Sequence, residues 1–219
     1  MAPLFAILKK KEGKAMKLTW YGHSCFLLET AEGSAVFDPY APGSVPGVEL
    51  PPLRADAVFC SHSHRDHAYR AAVTLSGQKP AFRVTLVDSF HDEKQGALRG
   101  KNKITVIEAE GKRVAHLGDL GHELSAQQLA ALGRIDLLMI PIGGHYTIDA
   151  AAAQRVAEQI GARLTVPMHY RGAGFGFKII GTAEDFLAQR KNVRRLDSND
   201  LNPDEIEGEA TVVLRCPVK

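Results

Sequence analysis

Eight residues, CSHSHRDH at 60–67, constrain the fold of this chain more than any other stretch. They place His62, His64, Asp66 and His67 within six positions, after the apolar run DAVFC and before DHAYRAAVTLS, which reads as a helix. In extended backbone alternate side chains project to one side, so His62 and His64 can converge on one point. Asp66 and His67 lie where the chain turns and face a neighbouring point. Two adjacent points, each with part of a coordination shell, predict two divalent metal ions, zinc first and manganese second. Cys60 adjoins the cluster, but its apolar neighbours mark it as the last buried residue of a strand instead of a ligand.

Four residues complete neither shell, so distant parts of the chain must deliver the rest. Three positions stand at the C-terminal ends of predicted strands: His91 ends LVDSFHD, Asp119 ends VAHLGD and His169 ends TVPMHY. Strand ends are where a sheet fold gathers functional groups. The two oxygens of an aspartate can bridge two cations, which suits Asp119. A lone histidine at a strand end is more often a core or surface residue, and it is the density of the first cluster that favours metal. Alternation turns His116 away, and it is left out with His122.

The remaining pattern sets the architecture. KLTWYG, SCFLLET and SAVFDPY read as short strands, followed by an irregular Pro- and Gly-rich loop at 41–52. Strands resume at FRVTLVDSFHD, KITVIEAEG and KRVAHLGD. Beyond residue 125 strand and helix alternate. SAQQLAALG is a helix capped by Ser125, and IDLLMIPIGG is a buried strand. TIDAAAAQRVAEQIG is a helix starting near Thr147 or Asp149 and ending at Gly161. ARLTVPMHY is a strand, TAEDFLAQRKN a helix and EATVVLRC a last strand. Two mixed β-sheets packed together with helices outside, a four-layer αββα sandwich of the α/β class, satisfy both halves.

Composition narrows the partners. The 27 basic and 25 acidic side chains leave a formal charge of +2 in 219 residues, with no basic run to track a nucleic acid. The N-terminal apolar run is too short to span a bilayer, and its lysines follow it, the wrong order for a secretory signal. Three cysteines without CxxC spacing fit a reducing cytoplasm. We therefore expect a cytoplasmic protein acting on a small molecule, with no nucleic-acid or membrane partner. Oligomeric state has no sequence signal. Residues 1–15 are expected to be an N-terminal extension and 16–219 one domain.

With these residues assembled, the sequence resembles the metallo-β-lactamase superfamily, through HSHRDH as its HxHxDH motif. WYGHSCFLLE, FDPY, SFHD, HLGDLGH, PIGGHYTID and PMHY follow in the order of the small metal-dependent hydrolase branch that includes ascorbate-6-phosphate lactonase. The resemblance covers roughly residues 16–215 and implies the same αββα fold. It implies one metal site from His62, His64 and His91, a second from Asp66, His67 and His169, and Asp119 between them. Asp38 in FDPY would orient a ligand imidazole from behind. The chain is compact for the superfamily and has no inserted domain of the kind its nucleases use.

The chemistry implied is hydrolysis of an ester, lactone or phosphodiester by a metal-activated water. Asp66 would bind a metal and orient the nucleophile, and His145 would help offset charge on the substrate oxygen. His23, Tyr146 and Tyr170 are pocket candidates. Arg171 and Lys178 in YRGAGFGFK, with Arg99 and Lys101, are candidates for holding an anion, though a flexible loop with solvated charges reads equally well. Two other classes are carried: an iron-dependent redox enzyme on the same fold, which would want a fused flavin or rubredoxin-like domain, and a metal-loaded binding protein without turnover.

Overall fold

The computed structural model describes residues 15–218, so the expected extension at 1–15 lies, Ala15 apart, outside the described residues. β1 (Lys17–Trp20), β2 (Phe26–Thr30) and β3 (Gly33–Phe37) form an antiparallel meander. Beyond the irregular loop come β4 (Leu53–Ala55), β5 (Ala57–Phe59), which pairs parallel to β3, and β6 (Val73–Leu75), which pairs parallel to β4 as a separate ribbon. β7 (Arg83–Phe90), β8 (Lys101–Ala109) and β9 (Lys112–His116) make a second antiparallel meander.

Helix α1 (Ala126–Leu132) then leads to β10 (Leu137–Pro141), and α2 (Ala150–Ile160) to β11 (Leu164–Met168). The chain ends with α3 (Glu184–Leu187), β12 (Val193–Arg195), β13 (Asp200–Leu201) and β14 (Ala210–Val213). β13 crosses to the first sheet, giving the order β13-β1-β2-β3-β5. The larger sheet runs β12-β14-β11-β10-β9-β8-β7.

Local sequence explains these elements. Every residue of β10 and β11 is buried, as expected of parallel strands covered on both faces; β10 is a continuous apolar run, and β11 is apolar but for Thr165. α2 begins where the Asp149 carboxylate accepts from Ala152 N at 2.8 Å, and ends at Gly161 in the left-handed region. Its buried face, Ala153, Val156 and Ala157, is small-sided, which lets the helix lie close on β10. Ser125 and Gln128 form a reciprocal capping box on α1.

One apolar core joins both sheets, with Trp20, Phe26 and Phe37 from the first and Ile104, Leu138 and Val166 from the second fully buried. His116 ties the two. Its ring stacks on Phe37 at 5.0 Å, Nε2 donates to Ser24 O at 2.9 Å, and Nδ1 accepts from Gly118 N. It is a structural histidine, as its place on the far face of β9 predicts. Among the described residues no helix is long and apolar enough to cross a membrane.

The two-sheet α/β sandwich expected from the sequence is present, and three local expectations differ. The helix predicted from Asp66 onward is a single 3₁₀ turn, Arg70–Ala72, followed by β6. Tyr69 N is drawn to Pro39 O, and the β-branched Val73 and Thr74 pair with β4, so tertiary pairing overrides helical propensity. The helix expected over TAEDFLAQRKN contracts to the four residues of α3. Cys60 follows β5 and is only half-buried, because β5 is the edge strand of its sheet.

Candidate metal centre

Asp119 stands at the focus of the histidines. It lies three residues past β9, on a turn that requires glycine. Gly118 has φ of +58°, and a Cβ there would fall 2.4 Å from both Asn102 Oδ1 and Ser61 Cβ. Asn102, fully buried on β8, locks the turn: its Oδ1 accepts from Asp119 N at 2.9 Å, and its Nδ2 donates to Leu117 O and Ser89 Oγ. The Asp119 Oδ2 is thereby set 3.2 Å from His67 Nε2, 3.2 Å from His169 Nε2, 3.3 Å from His91 Nε2 and 4.0 Å from His62 Nε2.

Each imidazole comes from the end of a strand or the turn beside one. His91 follows β7, with its N–H bonded to Gly100 O. His169 follows β11, with its N–H bonded to His23 O. His23, between β1 and β2, has its carbonyl fixed by Trp20 Nε1 at 3.0 Å. His23, Asp38 and His169 have φ of 52°, 43° and 52°, left-handed values that L-residues adopt at a cost of roughly 1–2 kcal/mol each. A concentration of such residues at one place marks a functional region.

Behind the imidazoles, Asp38 controls two of them. Its Oδ2 accepts from His67 Nδ1 at 2.8 Å and from Ser61 Oγ at 2.6 Å, and its Oδ1 accepts from Ser61 N. Ser61 Oγ gives its proton to the carboxylate, so the 2.9 Å bond to His62 Nδ1 has the imidazole as donor. Both histidines are thus protonated on Nδ1 and present Nε2 to the centre.

Burial pushes His62 down to about 3, which keeps it neutral. Burial would also lower His67, but the Asp119 and Asp38 carboxylates hold it well above the usual range. Burial would raise Asp119, yet His169 and His67 hold it well below the usual carboxylate range.

This arrangement fits divalent cations. With metal–nitrogen bonds of about 2.0–2.1 Å, neighbouring donors in a tetrahedral shell stand ~3.3 Å apart, and the contacts of His67, His91 and His169 with Asp119 have that spacing. His62 Nε2 and Asp119 Oδ1 are buried at the centre without a hydrogen-bond partner among the described residues. Three donor sets could hold an ion: His62, His64 and His91; His62, His67 and Asp119; and His23, His67 and His169.

The structure therefore brings all seven sequence-predicted ligands together. His64 is exposed at the mouth, and Asp66 is one-quarter exposed, with Oδ2 3.4 Å from His23 Nε2 and 3.7 Å from His67 Nε2. A cavity of about 320 Å³ opens over this cluster, walled by Tyr146, Phe177 and Arg99. His145 is exposed and lies in an adjoining cavity of about 650 Å³ instead, 4.5 Å ring to ring from Tyr146.

Sequence reasoning left His23 undecided and missed Asn102 and Ser61. The signal for His23 was its place in GHS directly after a strand; the other two are small polar residues that only the fold singles out. Arg171 and Lys178 line neither cavity, and Arg171 donates to Ile180 O.

A family model described as a β-lactamase superfamily domain matches residues 17–169. A UPF0173 protein of Pyrococcus abyssi is 30% identical over 87% of this chain and 98% of its own length. A UPF0173 metal-dependent hydrolase of Archaeoglobus fulgidus is 27% identical over 71% of this chain and 83% of its own. Among solved structures, one from Thermotoga maritima, suggested to be a Zn-dependent hydrolase of the metallo-β-lactamase superfamily, superposes with a TM-score of 0.69. It is 32% identical and covers 91% of this chain and 100% of its own. The Archaeoglobus fulgidus and Thermotoga maritima proteins are described as metal-dependent hydrolases, without a substrate.

Proposed function

Because the chain belongs to the metallo-β-lactamase superfamily, we propose that it is a hydrolase that uses two divalent cations, zinc or manganese, on an ester, lactone or phosphodiester of a small anionic molecule. The observation that carries this reading is the single oxygen of Asp119 with four imidazole Nε2 atoms within 4.0 Å. His62, His64 and His91 would hold one ion, Asp66, His67 and His169 the other, with Asp119 between them. His23 joins the second set, since its Nε2 lies 3.2 Å from that of His67.

Divalent ions bound there supply Lewis acidity and bring the pKa of a water towards neutrality. The protein's part is orientation. Asp38 fixes the tautomer of His67 directly and that of His62 through Ser61. Asp66, on the cavity wall, would help hold an ion and orient the attacking water. His145 contacts the part of the substrate that reaches the outer cavity. A lactone of the kind handled by the ascorbate-6-phosphate lactonase branch is one member of this class.

The test is metal content by mass spectrometry on purified protein beside an Asp119→Ala variant, with turnover of a lactone and an aryl phosphodiester before and after chelation. About two ions per chain, fewer in the variant, and activity lost on chelation and restored by zinc or manganese are the expected results. Failure to bind metal after reconstitution would sink the proposal.

A further inference from the structure

Arg99 occupies an unusual position. It lines both the small cavity over the candidate metal centre and the larger one beside it, and among the described residues only His91 and Tyr146 share that property. Its guanidinium lies over the Tyr146 ring, 5.9 Å from the centroid. No carboxylate stands within ion-pairing distance of it among the described residues, although Arg155, on the same outer cavity, is paired with Glu123. Arg99 is a half-buried cation without a counter-ion, facing the space where the substrate must lie.

Its position is built, not incidental. The loop that carries it is closed at its base by the bond from His91 N to Gly100 O. Inside the loop, the buried carboxylate of Asp92 collects four backbone N–H groups, those of Lys94, Gly96, Leu98 and Arg99, at 2.7–3.0 Å. Asp92 thus spends its charge on holding the loop and leaves the guanidinium free. Stacking on Tyr146 restricts the side chain further, so less freedom is lost when an anion binds.

We infer that Arg99 is the anion-recognising residue of the substrate site, holding a carboxylate or phosphate group at the passage between the two cavities while the scissile bond sits over the metal centre. The inference rests on the hydrolase reading above and adds that the substrate carries its charge next to the bond that is cut. A planar fork with several N–H donors suits either anion, and charge-assisted pairs of this kind are strong.

The test is calorimetry on metal-loaded protein with phenylphosphonate and with phenylacetate, comparing the natural chain with Arg99→Met and Arg99→Lys at equal metal content. We expect Arg99→Met to weaken at least one anion by about 10-fold or more, and Arg99→Lys to lose less. The anion with the greater dependence identifies the charged group. Equal affinities in all three proteins, or no binding by the natural chain, would overturn the assignment. Turnover of the neutral ester 4-nitrophenyl acetate by the natural chain, with metal and after chelation, judges the hydrolase reading separately: its absence would count against hydrolysis, while the calorimetric comparison alone decides the anion site.

Discussion

His67 Nδ1 lies 2.8 Å from Asp38 Oδ2 with both side chains buried, and the opposite nitrogen of the same ring lies 3.2 Å from Asp119 Oδ2. One imidazole is therefore clamped between two carboxylates, one that orients it and one that shares its task. Replacing Asp38 by Asn keeps the volume and removes the charge that selects the tautomer. Metal affinity should fall about 10–100-fold, with circular dichroism unchanged. Competition against a chromophoric chelator measures it, and an unchanged affinity would reduce Asp38 to a packing residue.

The same clamp predicts a proton count. In the metal-free protein His67 holds its second proton, because its carboxylate neighbours raise it well above the usual range, while burial leaves His62 and His23 neutral with values of about 3. Metal must then displace the proton on His67 Nε2, so binding releases at least that proton near neutral pH and tightens as pH rises. Titrations in buffers of different ionisation enthalpy give the number. Release of none would show that His67 is already neutral.

His23 should matter to one ion and not the other. Its Nε2 is 3.2 Å from His67 Nε2 and 3.4 Å from Asp66 Oδ2, and its backbone carbonyl, held by Trp20, survives a change of side chain. His23→Ala should weaken the second of two binding events by at least the ~10–100-fold typical of losing an outer partner, and alter the visible spectrum of the cobalt-substituted protein. A spectrum identical to the natural chain would place His23 outside the shell.

Asn102 is expected to show its role in stability. Asn102→Leu leaves Asp119 N, Leu117 O and Ser89 Oγ to find other partners in the buried interior. Each unsatisfied group costs roughly 1–3 kcal/mol, so the metal-free protein should lose on the order of 3 kcal/mol in urea unfolding. A loss below ~0.5 kcal/mol would mean that the turn holds without it.

What could be read from the sequence follows from how the site is made. Residue type and density announced His62, His64, Asp66 and His67, and position at the end of an apolar run announced His91, Asp119 and His169. Those signals are local. The role of Asn102 is not, since it depends on β8 and β9 being neighbours, and Ser61 gains meaning only when Asp38 folds back beneath it. The helix expected after Asp66 failed for the same reason: a partner strand at 53–55, distant in sequence, competes for its residues. Arg99 and Lys101 looked alike in LRGKNK, and only the loop closed on Asp92 separates them.

The left-handed backbone at His23, Asp38 and His169 would give the two ion sites proposed above different tolerance of substitution. His62, His64 and His91 have ordinary backbone angles, so another donor residue can be exchanged there without disturbing the chain's path. His169 and His23 sit where bulky or β-branched side chains are penalised before any question of coordination arises. If two ions bind as proposed, a change of preferred metal would be most accessible through the first set, with the second as the anchor that the backbone holds in place.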